Sequence, residues 1–175
     1  RAGAAALRFE DALLNEYGVP AESLAIAPLP LMVERIKAAA DTRKDETLVL
    51  IARCDSRPKE SLSQVQARLA AYVEAGADAV GVQLNETEEF RLIGTAAPAP
   101  LVSMWPRARL NVFEFIEMGY RVALMPSSVP LAAITAAREL LLELKRSGRD
   151  QDYFARQREF SDSESWYKNL GTTHK

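Results

Sequence analysis

Short apolar runs alternate with stretches of helical periodicity along most of this chain, which predicts strands alternating with helices. Residues 4–9 form a compact, mostly apolar run that stops at Glu10 and Asp11, the mark of a buried strand with an acidic C-terminal end. Residues 11–30 hold Gly18, Pro20, Pro28 and Pro30 with little periodicity and predict a long loop. Loops of that length are uncommon unless they cover a site. Helical spacing returns over 31–43, with Val33, Ile36 and Ala40 on one face. Residues 47–52 are β-rich and apolar, then stop at Arg53-Cys54-Asp55. Leu62, Val65, Leu69, Tyr72 and Val73 outline an amphipathic helix closed by Gly76. Strands follow at 77–84, 101–104 and 121–125, with helices at 86–93, 110–118 and 130–145.

Continuously apolar strands separated by helices imply a parallel sheet covered on both faces. A doubly wound nucleotide-binding fold would place a Gly-rich phosphate turn after its first strand. Glu10-Asp11 stands there instead, and a barrel is favoured. The expected organisation is one domain over 1–175, with a partial barrel over 1–148 and a helical tail over 149–175 carrying isolated aromatic anchors.

Composition narrows the partners. The 175 residues are 48% hydrophobic and 26% charged, with a net charge of −2, which offers no basic footprint for nucleic acid or a membrane surface. No apolar run approaches the roughly 20 residues a membrane span needs. The single cysteine, Cys54, excludes an internal disulfide and suits a reducing, cytoplasmic setting. The segment 1–7 reads as a helix end, a Gly turn and a strand, not as a signal peptide.

In a barrel the chemistry sits at the C-terminal strand ends. Those positions hold Glu10 and Asp11, Arg53 and Asp55, Gln83 and Asn85, Ser103 and Trp105, and Ser127 and Ser128. Carboxylates suit a hard cation such as Mg2+, and an arginine fork matches a substrate carboxylate. Together they describe a site for an anionic oxo acid. Taken singly, such residues are more often structural, Glu10 or Asp55 as a cap and Arg53 as an ion-pair partner. Cys54 reads as a packed thiol, Arg107 and Arg109 as a solvated loop face. His174, the single histidine, lies beside the C-terminal residue and supports neither a triad nor a zinc site.

Several ordered motifs resemble the isocitrate lyase/phosphoenolpyruvate mutase superfamily. Leu7-Arg8-Phe9-Glu10-Asp11 resembles the end of its fourth barrel strand. Ile36-Lys37-Ala38-Ala39 with Leu50-Ile51-Ala52-Arg53-Cys54-Asp55 is similar to its "IKAA…IIARTDA" segment, and Tyr72–Ala79 to its "YxEAGADA" junction. Gly119–Val122 and Pro126-Ser127-Ser128 resemble its last strand. The resemblance implies an α/β fold, a (β/α)8 TIM barrel of which this chain supplies roughly strands four to eight plus C-terminal helices. It implies Mg2+, an enolpyruvate-like intermediate and a small anionic 2-oxo acid substrate. It also implies a homo-oligomer, dimer or tetramer, with the apolar helix over 131–144 exchanged between copies. Glu10 then matches a metal-holding carboxylate, Arg53 the catalytic, substrate-binding arginine, and Gln83 and Ser127 further substrate-binding positions.

The same resemblance sets limits. The Cys-Gly-His loop of isocitrate-type lyases is absent from residues 12–29, and Gln83 stands where those lyases carry glutamate. Glu10–Leu14 with Tyr17-Gly18 looks most like the oxaloacetate decarboxylase branch, although Ser127 replaces that branch's histidine. The family's first three strands, with an Asp-x-Asp metal motif, would precede Arg1, so the sequence is expected to be the C-terminal part of a barrel. The leading expectation is a Mg2+-dependent lyase or decarboxylase of 2-oxo or 2-hydroxy dicarboxylates. The alternatives are phosphonopyruvate-type P–C chemistry and a non-catalytic paralogue kept as a structural subunit.

Overall fold

The computed structural model describes residues 3–13, 23–84, 86–104 and 110–156. Asn85, Trp105, Arg107, Arg109, most of the long loop, the tail aromatics Phe160, Trp166 and Tyr167, and His174 lie outside the described residues. The chain divides into two compact units, Arg1–Leu124 and Met125–Lys175.

The first unit is a five-stranded parallel sheet in sequential order. Its strands are β1 (Ala6–Glu10), β2 (Val49–Cys54), β3 (Ala79–Val82), β4 (Leu101–Met104) and β5 (Tyr120–Leu124). The helices α1 (Leu29–Thr42), α2 (Leu62–Glu74), α3 (Thr87–Ala96) and α4 (Val112–Glu117) occupy the crossovers. Parallel neighbours demand such crossovers, and sequential order with a helix in each is how a (β/α) barrel is built. Met32 and Ile36 of α1, Val65, Leu69 and Tyr72 of α2, and Phe90 and Ile93 of α3 pack with Ala52, Val80 and Leu101 into one core. Phe90, Phe115 and Tyr120 close its far end, with the Phe115 and Tyr120 rings stacked 4.0 Å apart.

The strands and helices match the hydrophobic pattern in type and order. Their ends shift where polar groups capture the backbone. β2 starts at Val49 because Asp45 receives the Thr47 amide at 3.0 Å and the Leu48 amide bonds the Asp45 carbonyl at 3.0 Å, making a turn. β3 begins at Ala79 because Ala77 still bonds back to Tyr72, while the Asp78 carboxylate takes the Leu50 amide at 2.8 Å. α2 is fixed at its start by a reciprocal bond pair between Ser61 and Gln64, a device worth about 1 kcal/mol. Gly94 lets α3 lie against the β5 approach: a Cβ there would sit 1.7 Å from the Met118 carbonyl oxygen.

In the second unit, α5 (Ser128–Ser147) starts two residues before Pro130, which the first helical turn tolerates because its amides have no partner there. A short helix α6 (Gln151–Arg156) follows. Glu143 of α5 pairs with Arg146 at 2.5 Å and with Arg156 of α6 at 2.9 Å. Among the described residues, no helix is long and apolar enough to cross a membrane.

Candidate active site

The site begins with register. Parallel pairing of β1 and β2 sets Glu10 opposite Arg53, and pairing of β2 with β3 sets Arg53 opposite Gly81. Side chains on one face of neighbouring strands meet. Accordingly, the Arg53 Nη1 lies 3.4 Å from the Glu10 Oε1, and Nη2 donates to the Gln83 Oε1 at 3.0 Å. Gly81 is required by the neighbouring β4 backbone: a Cβ there would stand 2.7 Å from the Val102 carbonyl oxygen, while its 3.6 Å from the Arg53 Cβ is ordinary contact. Arg8, two residues back on β1, also pairs with Glu10 at 2.5 Å. Three of the four residues singled out from the sequence, Glu10, Arg53 and Gln83, therefore meet at adjacent strand ends.

Asp55 completes this cluster. Its Oδ1 lies 2.7 Å from the Arg53 Nη2, while the side chain is only 3% exposed. The contact is an ion pair without hydrogen-bond alignment, and Oδ2 meets no donor. Burial pushes the Asp55 carboxyl above the ordinary carboxylate value, against the downward pull of Arg53. Asp55 does not cap the next helix; Ser61 does that. Ser103, buried on β4, donates to the Val82 carbonyl at 2.8 Å and is spent on the backbone. Ser127 belongs to the second unit, where its carbonyl accepts the Leu131 amide at 2.9 Å and its side chain makes no cap bond.

Asp11 behaves differently from its neighbour Glu10. It is fully buried, and its carboxylate accepts the Asp55 amide at 2.7 Å and the Tyr72 hydroxyl at 2.8 Å. Arg68 stands 3.8 Å away, held by Glu60 at 2.6 Å and by the Ala27 carbonyl at 3.0 Å. The second strand-end carboxylate therefore belongs to the interior and is no candidate for a solvent-facing metal. Burial, then the Asp11 charge, pushes the Tyr72 hydroxyl up, so it stays protonated and donates. Cys54 is fully buried as a packed thiol, and that burial pushes it up to about 12. This network had one sequence signal. Arg68 is a charge on the apolar face of α2, four residues before Tyr72, and a buried arginine demands a buried anion.

Glu10 has the hard oxygen donor that Mg2+ takes, but it supplies one corner of a shell. Among the described residues, no group of three or more His, Cys, Asp or Glu gathers to hold a metal. The chemistry of Glu10 fits the ion; the remaining corners would have to come from water, substrate or other residues.

Sequential parallel strands joined by helices, with a charged cluster at their C-terminal ends, fit part of a (β/α)8 barrel. The chain belongs to the phosphoenolpyruvate phosphomutase family, whose model matches residues 1–145. A 2-methylisocitrate lyase of Aeropyrum pernix is 31% identical over 157 residues, 87% of this chain and 50% of that protein. A 2,3-dimethylmalate lyase of Eubacterium barkeri is 29% identical over 150 residues, 83% of this chain and 52% of that protein. Among solved structures, a 2,3-dimethylmalate lyase described as a PEP mutase/isocitrate lyase superfamily member superposes with a TM-score of 0.70 at 25% identity, covering 95% of this chain and 62% of that one. Oxaloacetate acetylhydrolase bound to 3,3-difluorooxalacetate gives a TM-score of 0.71 at 25% identity, covering 82% and 51%. The chain spans about half the length of the curated relatives it matches.

Proposed function

We propose that the protein containing this chain is a Mg2+-dependent carbon–carbon lyase or decarboxylase acting on a small 2-oxo or 2-hydroxy dicarboxylate. The observation that carries the proposal is the Arg53 guanidinium, held at the C-terminal strand ends between Glu10, Gln83 and Asp55. Such a fork binds a carboxylate through two parallel hydrogen bonds and fixes its plane. Family membership and relatives that act on methylisocitrate and dimethylmalate support the substrate class.

Local charge supports a cation as well. Among the described residues, Glu10 and Asp55 stand against Arg53 and Arg8, and a cation would help to meet the charge of an arriving anion. Bound Mg2+, with Glu10 among its holders, would supply the positive charge that stabilises an enolate-like oxygen. Arg53 holds the substrate carboxylate in place. Gln83, whose carbonyl oxygen accepts from Arg53, keeps its amide N–H groups for a second acidic group of the substrate. Homo-oligomerisation with exchange of α5 is part of the same proposal. Val129, Leu131, Ile134, Leu141 and Leu142 stand exposed on that one helix and support it.

The test is release of pyruvate from oxaloacetate and from 2-alkylmalates by the full-length protein with Mg2+. Release that collapses in Arg53→Ala supports the proposal. No release from either substrate, with phosphate liberated from phosphonopyruvate, would move the protein to P–C bond chemistry.

A further inference from the structure

The end of β2 is held in place in an unusual way. Beyond Glu10 the backbone of β1 turns off the sheet: Ala12 bridges Ile26 in antiparallel sense, the Leu13 amide bonds the Ala25 carbonyl at 2.7 Å, and the Asp11 carbonyl takes the Ala27 amide at 2.7 Å. The ladder would stop there on the β1 side, leaving the end of β2 paired with β3 alone. Asp11 continues it. Its amide donates to the Arg53 carbonyl at 3.1 Å, and its side-chain Oδ1 accepts the Asp55 amide at 2.7 Å, the bond a strand carbonyl would otherwise make. The other oxygen, Oδ2, is fixed by the Tyr72 hydroxyl at 2.8 Å. From the other side the Gln83 amide bonds the Cys54 carbonyl at 3.0 Å.

We propose that Asp11 and Tyr72 are positioning residues for Arg53: the Tyr72 hydroxyl orients the Asp11 carboxylate, which extends the β1–β2 ladder by one rung and sets the 53–55 backbone from which Arg53 meets its ligand. Neither residue reaches the site itself, because both are fully buried. The carboxylate links two layers, helix α2 and the strand ends, so a single hydroxyl in the core controls the aim of a guanidinium at the site. A hydrogen bond to a charged acceptor in a buried setting is strong enough for this. The inference rests on the reading of Arg53 as the carboxylate-binding group.

Two readouts separate the inference from that reading. The first needs no ligand: the guanidinium 15N–1H signals of Arg53 in the full-length protein. They should be sharp and protected in the wild type, and broadened or shifted in Tyr72→Phe, which removes one oxygen and keeps the ring. Unchanged Arg53 signals in a folded Tyr72→Phe would overturn the inference whatever the function. The second is calorimetric affinity for oxalate with Mg2+. Tyr72→Phe should weaken it about fivefold, and by less than about twofold in an Arg53→Lys background, where the fork is already gone. Equal losses in both backgrounds would show a general structural effect and sink the proposal. Asp11→Asn, which keeps an acceptor for the Asp55 amide and can still meet the Tyr72 hydroxyl through its side-chain N–H, should bind oxalate better than Asp11→Ala; the reverse order contradicts it. Wild-type protein that binds no oxalate, with ordered Arg53 signals that respond to Tyr72→Phe, would leave positioning standing and remove the substrate reading.

Discussion

Replacing Asp11 by alanine should destabilise the fold far more than a typical substitution. The carboxylate is fully buried and receives the Asp55 amide at 2.7 Å and the Tyr72 hydroxyl at 2.8 Å. Its removal strands two buried donors, each costing about 1–3 kcal/mol. The loss of Arg68's partner adds less than a broken buried pair normally would, because Glu60 and the Ala27 carbonyl still hold that guanidinium. The sum is about 4 kcal/mol, a large share of the roughly 5–15 kcal/mol that keeps a domain folded. Equilibrium urea unfolding followed by circular dichroism measures it as a shift in midpoint at constant slope. Asp11→Asn retains an acceptor for the Asp55 amide and should cost about 1 kcal/mol. A loss below about 1 kcal/mol for Asp11→Ala would refute the argument that these donors depend on the carboxylate.

Gly94→Ala should cost about 3 kcal/mol by the same assay, because the added Cβ would meet the Met118 carbonyl at 1.7 Å and backbone cannot swing aside; an unchanged midpoint would show that α3 can shift freely. The Cys54 thiol, at about 12 in the fold against its ordinary 9.0, gives stability that is fully present below pH 9 and is lost as pH rises toward 12. The loss is about 1.4 kcal/mol per pH unit in that window. Cys54→Ala should make this alkaline limb shallower in urea titrations at successive pH values, the buried Tyr72 and Tyr120 hydroxyls keeping part of it, and an identical limb would contradict it. On α5, the double substitution Ile134→Asp with Leu141→Asp places charge on two exposed apolar positions seven residues apart. Sedimentation velocity should show the oligomer dissociating, and a monomeric wild type would remove the oligomer from the proposal.

The sheet was legible because its strands are nearly continuous apolar runs, and because Arg53-Cys54-Asp55 halts one of them abruptly. Glu10, Arg53 and Gln83 stood among ten strand-end positions and were singled out by the family resemblance; parallel register then puts such ends side by side. What could not be read was orientation. Glu10 and Asp11 are adjacent carboxylates, and only the sheet's pleat sends one toward Arg53 and the other inward to Tyr72. Asp55 was equally ambiguous, because a cap and an ion-pair partner have the same spelling. Strand ends were misplaced where side chains intercept the backbone, as Asp45 does before β2 and Asp78 before β3. Hydrophobic periodicity carries no trace of those bonds.

The most direct test of the account is titration of oxalate into the full-length protein by calorimetry, with and without Mg2+, for wild type and Arg53→Ala. Saturable binding that needs Mg2+ and weakens about 30-fold or more without the guanidinium is predicted, the size expected for losing a charge-assisted fork. Binding that ignores Mg2+, or an Arg53→Ala protein that binds oxalate as well as wild type, would contradict the claim that these strand ends form a site for an anionic oxo acid.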